Sequence, residues 1–136
     1  MKIWHGYGSE HSMNLVMIGR FKNVHDAEKA KQIIDSLTES VSADVEEGLL
    51  EAGNPPQHFS ERMLEILRKV NVYIIAANEF EQFTYDFSVR VDGDRVVLTT
   101  DESDVSAFLK VLVNQGARVE VYSAHNYPDT EYGRGK

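Results

Sequence analysis

The sequence predicts a two-layer α+β sandwich, and three observations carry that prediction. Two short apolar runs, residues 14–21 and 72–77, have the length and β-branched content of buried strands. From Phe83 to Val91 apolar residues alternate with polar ones up to Asp92-Gly93, a pair suited to a tight hairpin turn. Three other segments place apolar residues at helical spacing and fall between these strands.

Taken in order, residues 2–7 read as a short strand that leads into a polar, glycine-containing loop. Residues 14–21 form the first buried strand. Asn23 is placed to cap a helix, and Asp26 in its first turn suits the positive end of the helix dipole. Ala27, Ala30, Ile33, Ile34 and Leu37 supply its buried stripe. Residues 40–52 continue this helix or form a second short one, which Gly48 weakens by roughly 1 kcal/mol relative to alanine. Gly53-Asn54-Pro55-Pro56 stops it. Ser60 caps a helix over residues 61–70, with Met63, Ile66, Leu67 and Val70 as its apolar face. Residues 72–77 follow as a central strand. With Asp92-Gly93 as the two loop residues of a type I′ turn, the hairpin pairs Arg90 with Arg95, Val89 with Val96 and Phe87 with Leu98. A last helix begins near Asp101 or Ser103 and buries Val105, Phe108, Leu109, Leu112 and Val113. Residues 118–123 close the pattern as a strand.

The inner order, strand–helix–hairpin–helix–strand, resembles the ferredoxin-like βαββαβ core, here with an extra N-terminal strand and a helical insert. That likeness is one of architecture and implies no activity. No repeat or linker divides the chain, so residues 1–126 read as a single domain and residues 127–136 as an irregular tail. Residues 15–18 and 72–77 are apolar on both faces, while helices cover one side of a two-layer sheet. A homodimer built through the sheet is the expected cover for the other side.

At 136 residues the chain matches one domain, and a hydrophobic fraction of 42 % is enough for a core rather than disorder. No run approaches the ~20 apolar residues that a membrane-spanning helix needs. Cysteine is absent, which excludes disulfides, thiolate metal sites and cysteine nucleophiles. Met1-Lys2-Ile3-Trp4-His5 lacks the apolar core of a signal peptide, so a cytoplasmic location is expected. The net charge of −8 opposes binding to a phosphate backbone, and no nucleic-acid partner is expected. Residues 39–51 carry five carboxylates and no Lys or Arg. Asp44, Glu46, Glu47 and Glu51 form a candidate surface for a basic protein partner, set against the plainer reading that they serve solubility.

The richest polar segment is His5-Gly6-Tyr7-Gly8-Ser9-Glu10-His11-Ser12. His5, Tyr7, Ser9, Glu10, His11 and Ser12 are candidate binding residues, because loops carried on strands often hold function. His5, Glu10 and His11 also offer nitrogen and oxygen ligands to a divalent metal, though at no diagnostic spacing. The plainer reading is a glycine-shaped turn. A phosphate loop is excluded, since Gly6-x-Gly8 leads into a strand and not into a helix N-terminus. His25, His58 and His125 are scattered. Arg90 and Arg95, set opposite each other by the expected register, are either neutralised by Asp86 or form an anion site. Phe83, Tyr85 and Phe87 share a face with Val89 and Val91, the makeup of a core rather than of a base-stacking platform.

These features favour a small acidic interaction or regulatory module, in the manner of immunity and antitoxin proteins, with no cofactor. Two alternatives stand beside it. One is a small-ligand or metal-dependent enzyme with its site in residues 5–12. The other is a homodimeric sensor of a small molecule.

Overall fold

The computed structural model describes residues 14–51 and 53–123. The expected strand at residues 2–7, the loop at 5–12 and the tail at 127–136 lie outside them. The described chain is an α+β fold with one four-stranded antiparallel sheet and three α-helices. Strand β1 (Leu15–Arg20) leads to helix α1 (Val24–Glu46) and then α2 (Glu61–Val70). A 3-10 helix (Ala77–Thr84) precedes β2 (Phe87–Asp92) and β3 (Arg95–Thr100), and α3 (Ser106–Asn114) and β4 (Arg118–Ser123) complete the order. The sheet runs β2-β3-β1-β4, so β1 sits between β3 and β4 and is antiparallel to both.

The helices start where the sequence places them. The Asn23 Oδ1 accepts from the Asp26 backbone N–H at 2.8 Å, and the Ser60 Oγ accepts from Met63 at 3.1 Å. Helix α1 continues through Glu46 rather than breaking at residue 40, and its stripe extends from Ala27 to Val41 and Asp44. Met17, Val96 and Leu98 meet this stripe and the inner sides of α2 and α3 in one core. Helix α3 begins only at Ser106, and its buried face is Ala107, Phe108, Val111 and Leu112. Leu109 and Val113, expected inside, face solvent.

Residues 72–77 are not a strand. Val72 and Ile75 are buried, while Tyr73 is 62 % and Ile74 47 % exposed, so the segment pins itself to the core at two points without joining the sheet. A short apolar run cannot be told from another kind of buried segment by periodicity alone. The following aromatics were equally ambiguous. Phe83 lies on the 3-10 helix and Phe87 on β2, yet both pack on Phe108, with ring centroids 5.1 and 4.7 Å away. Their common target mimics strand alternation. One of the two strands behind the expected sheet-mediated dimer is absent. Residues 72–77 are outside the sheet, and Val16 and Ile18 on the face away from the helices are only 5 % and 2 % exposed within the single chain.

The hairpin register also differs. Gly93 and Asp94 are the loop residues, Asp92 pairs with Arg95, and Val91 pairs with Val96. Gly93 has φ +63° while Asp94 stays out of the left-handed region, the pattern of a type II′ rather than a type I′ turn. Arg90 therefore faces Val97 across the strands, not Arg95. Among the described residues no helix is long and apolar enough to cross a membrane.

Of the described glycines, Gly19 alone is closely packed. A Cβ there would meet the Ala117 Cβ and the Leu112 Cδ2, both at 3.3 Å. Gly19→Val is expected to cost about 1–3 kcal/mol by overpacking, read as a lower urea midpoint with an unchanged slope. Gly19→Ala, which needs shifts of only tenths of an ångström, should cost less. Equal midpoints for Gly19→Val and wild type would disprove the close packing.

Candidate functional site

A buried polar clamp holds the irregular segment before β2 against α3. Glu79 is 7 % exposed. Its Oε1 accepts from the Lys110 Nζ at 2.6 Å and from the Ala76 backbone N–H at 2.7 Å, and its Oε2 accepts from the Ser106 hydroxyl at 2.5 Å. Lys110 also donates to the Ile74 carbonyl at 3.0 Å. Val105 caps α3 without any side-chain hydrogen bond. Gln82 supplies the missing acceptor from the 3-10 helix, its Oε1 taking the Ala107 N–H at 2.7 Å while its Nε2 donates to Ser106 at 2.9 Å. Burial pushes the Glu79 carboxyl up, but the Ala76 amide, the Lys110 ammonium and the Ser106 hydroxyl together outweigh it and hold it below its ordinary value. The network closes on itself: Lys110 is committed to Glu79 and a carbonyl, and Ser106 to Glu79 and Gln82.

Next along the chain, the Tyr85 hydroxyl donates to the Glu81 Oε1 at 3.0 Å, and the Glu81 Oε2 accepts from the Gly53 N–H at 3.1 Å. Burial first, and the Glu81 hydrogen bond second, push the Tyr85 phenol up, so it holds its proton and serves as a hydrogen-bond donor to Glu81. These bonds fix one wall of a cleft of about 650 Å³ between α1 and β2. Its floor is apolar, with Val41, Phe83, Phe87 and Val89. Its rim is acidic, with Asp35 and Glu46 from α1 and Asp86 from the approach to β2. Asp35 is paired with Lys31 at 2.7 Å. Glu46 and Asp86 are exposed, and no ion pair to either occurs among the described residues. The volume falls in the range of small-molecule sites.

The opposite face of the sheet carries a second charged array. Register places Asp92, Arg95, Arg20 and Arg118 in one row across β2, β3, β1 and β4. Arg20 bonds Glu120 at 3.0 Å, and Asp92 lies beside both Arg95, which donates to it, and Arg90 at 3.8 Å. Among the described residues Asp92 pairs with both hairpin arginines, and no ion pair to Asp86 occurs. Tyr122 donates to Glu120, which with Arg20 holds that carboxyl below its ordinary value.

A family model, described as a family of unknown function (DUF6375), matches residues 1–134. The chain belongs to DUF6375. No curated protein and no solved structure matches it.

Within this DUF6375 chain the candidate acidic surface divides. Asp44 is fully buried, so it does not belong to an exposed acidic face. Its carboxylate accepts from the Ser60 hydroxyl at 2.7 Å and from Arg62 at 2.6 Å, tying α1 to α2. Arg62 also pairs with Glu47. Glu46 lies on the cleft rim, and Glu51 is exposed beyond the end of α1. Val41 precedes Asp44 by one helical step, which marks it as a stripe position; its partner 18 residues away carries no such mark. His5, Tyr7, Ser9, Glu10, His11 and Ser12 lie outside the described residues. Among the described residues no group of three or more His, Cys, Asp and Glu is arranged to hold a metal. Asp35, Glu79, Glu81, Lys110, Arg20 and Arg118 were not singled out by sequence, and Asp86 was singled out only as a counter-charge to the hairpin arginines. Their grouping depends on contacts and register between segments distant in the chain.

Because the Glu79 carboxyl is held low when folded, the folded state binds fewer protons than the unfolded one just below its ordinary value. Its stabilisation is fully present above about pH 5 and disappears as pH falls through the folded value. Glu79→Gln is expected to lower the urea midpoint at pH 7, with the gap to wild type narrowing below about pH 4. A gap of constant size from pH 7 to pH 3 would refute the clamp's ionic character.

Proposed function

We propose that this DUF6375 protein is an acidic interaction module that takes a basic protein partner in the cleft between α1 and β2. The observation that carries this reading is the pairing of an apolar floor with Glu46 and Asp86, carboxylates exposed on its rim. Lys and Arg side chains suit such a surface, since their methylene stems cover apolar area while their charged ends reach the rim. The net charge of −8 supports a basic protein over a nucleic acid and favours rapid encounter. The lack of cysteine supports a cytoplasmic setting.

We read the core as ferredoxin-like. The position of β3 between β1 and β2, with α1 and α3 contributing to the same core, supports that reading. In it, α2 and the 3-10 helix are an insert between α1 and β2.

Affinity capture with wild type and with the double variant Glu46→Gln/Asp86→Asn, run in parallel from the native host, tests the function. Wild type is expected to retain a protein of pI above ~9 that the variant loses at least tenfold, and to release it as salt rises from ~50 to ~500 mM. Equal retention by both proteins, at either salt concentration, would reject the cleft as the binding surface.

A further inference from the structure

We propose that the partner enters as an extended basic segment that adds to the sheet as a fifth strand, antiparallel to β2. This rests on the reading of the cleft as a binding site for a basic protein and specifies how that protein is held.

Strand β2 is an edge, since the order is β2-β3-β1-β4 and no other strand pairs with it among the described residues. The register determines which of its backbone groups are already used. In an antiparallel pair, hydrogen-bonded and non-hydrogen-bonded residue pairs alternate. The pair closing the two-residue turn, Asp92 with Arg95, is hydrogen-bonded, and so are Arg90 with Val97 and Ser88 with Thr99. The far side of β3 agrees with this parity. The Phe21 N–H bonds the Asp94 carbonyl at 2.9 Å, which makes Val96 and Leu98 the residues that bond β1. The amides and carbonyls of Phe87, Val89 and Val91 therefore point outward from the sheet edge.

These same three residues turn their side chains toward the helices, against the core. Phe87 and Val89 also line the cleft. In an antiparallel fifth strand, the residues bonded to Phe87, Val89 and Val91 carry their side chains on that same face. Every second side chain of the incoming segment then projects between β2 and α1, over the apolar floor and toward Glu46 and Asp86. The intervening side chains pass along the other face beside Ser88 and Arg90, where small polar groups fit and further cations do not. The chemistry recognised is an extended segment with Arg or Lys at alternate positions and Thr or Ser between them. Backbone bonds supply the attachment and the acidic rim supplies the choice of sequence.

The test is fluorescence anisotropy with the whole protein and a labelled nine-residue peptide alternating Arg and Thr, alongside two N-methylated forms. Methylating the arginine amides removes the donors that face β2; methylating the threonine amides touches only those on the outer edge. The expected result is binding by the parent peptide and the threonine-methylated form, at least tenfold weaker binding by the arginine-methylated form, and at least tenfold loss for Glu46→Gln/Asp86→Asn. Any other dependence on the two methylations, with the charge effect intact, overturns the added strand and leaves the acidic cleft standing. Absence of binding at millimolar peptide, or binding indifferent to the charge removal, overturns both.

Discussion

The cleft exists because a buried carboxylate holds an irregular stretch of chain in place. Residues 71–76 have no helix or strand of their own, and backbone groups without regular partners must find others. Glu79 and Lys110 supply them, bonding the Ala76 amide and the Ile74 carbonyl. Gln82 and Ser106 extend the same network to the first turn of α3. With the 3-10 helix fastened in this way, Phe83 meets Phe108 and Tyr85 reaches Glu81. Asp86 and Phe87 then follow at the edge of the sheet. The ring contacts add geometric preference to a joint that polar bonds have already located.

A second buried carboxylate does the same for the other layer. Asp44, inside the apolar stripe of α1, receives Ser60 and Arg62 and so sets where α2 begins. The Ser60 hydroxyl acts twice, as the cap of α2 and as a donor to α1. Both carboxylates sit where a chain of this size has little apolar area to spare, and both define geometry rather than add simply to stability. The charged groups thus include some that organise the interior, beside those on the rim of the cleft and on the opposite face of the sheet.

What the sequence disclosed were the features with local causes. The caps at Asn23 and Ser60, the stripe from Ala27 to Leu37, and the strands at 15–20 and 118–123 all follow from residues within a few positions of one another. Features that depend on distant partners were hidden or misread. The apolar run at 72–77 has the composition of a strand, but its buried residues meet helices and no neighbouring strand receives its backbone. Phe83 and Phe87 alternate as strand residues would because one ring, Phe108, draws both inward. The hairpin was recognised, yet its loop lies one residue later than Asp92-Gly93 suggests, which changes every cross-strand partner. Of the acidic segment, Glu46 belongs to the cleft and Asp44 to the interior, a distinction that spacing along α1 contains and charge counting does not.

An open strand edge carries a hazard, because it pairs as readily with another copy of the same chain as with any partner. Here the edge is bordered by Glu46 and Asp86, on a molecule whose net charge is −8. Two copies approaching edge to edge bring like charges together, and the contact is refused at neutral pH. That repulsion follows the net charge, which approaches zero near the isoelectric point of about 5.0. On the proposed reading, the acidic border that suits a cationic strand also opposes the edge-to-edge approach of a second copy.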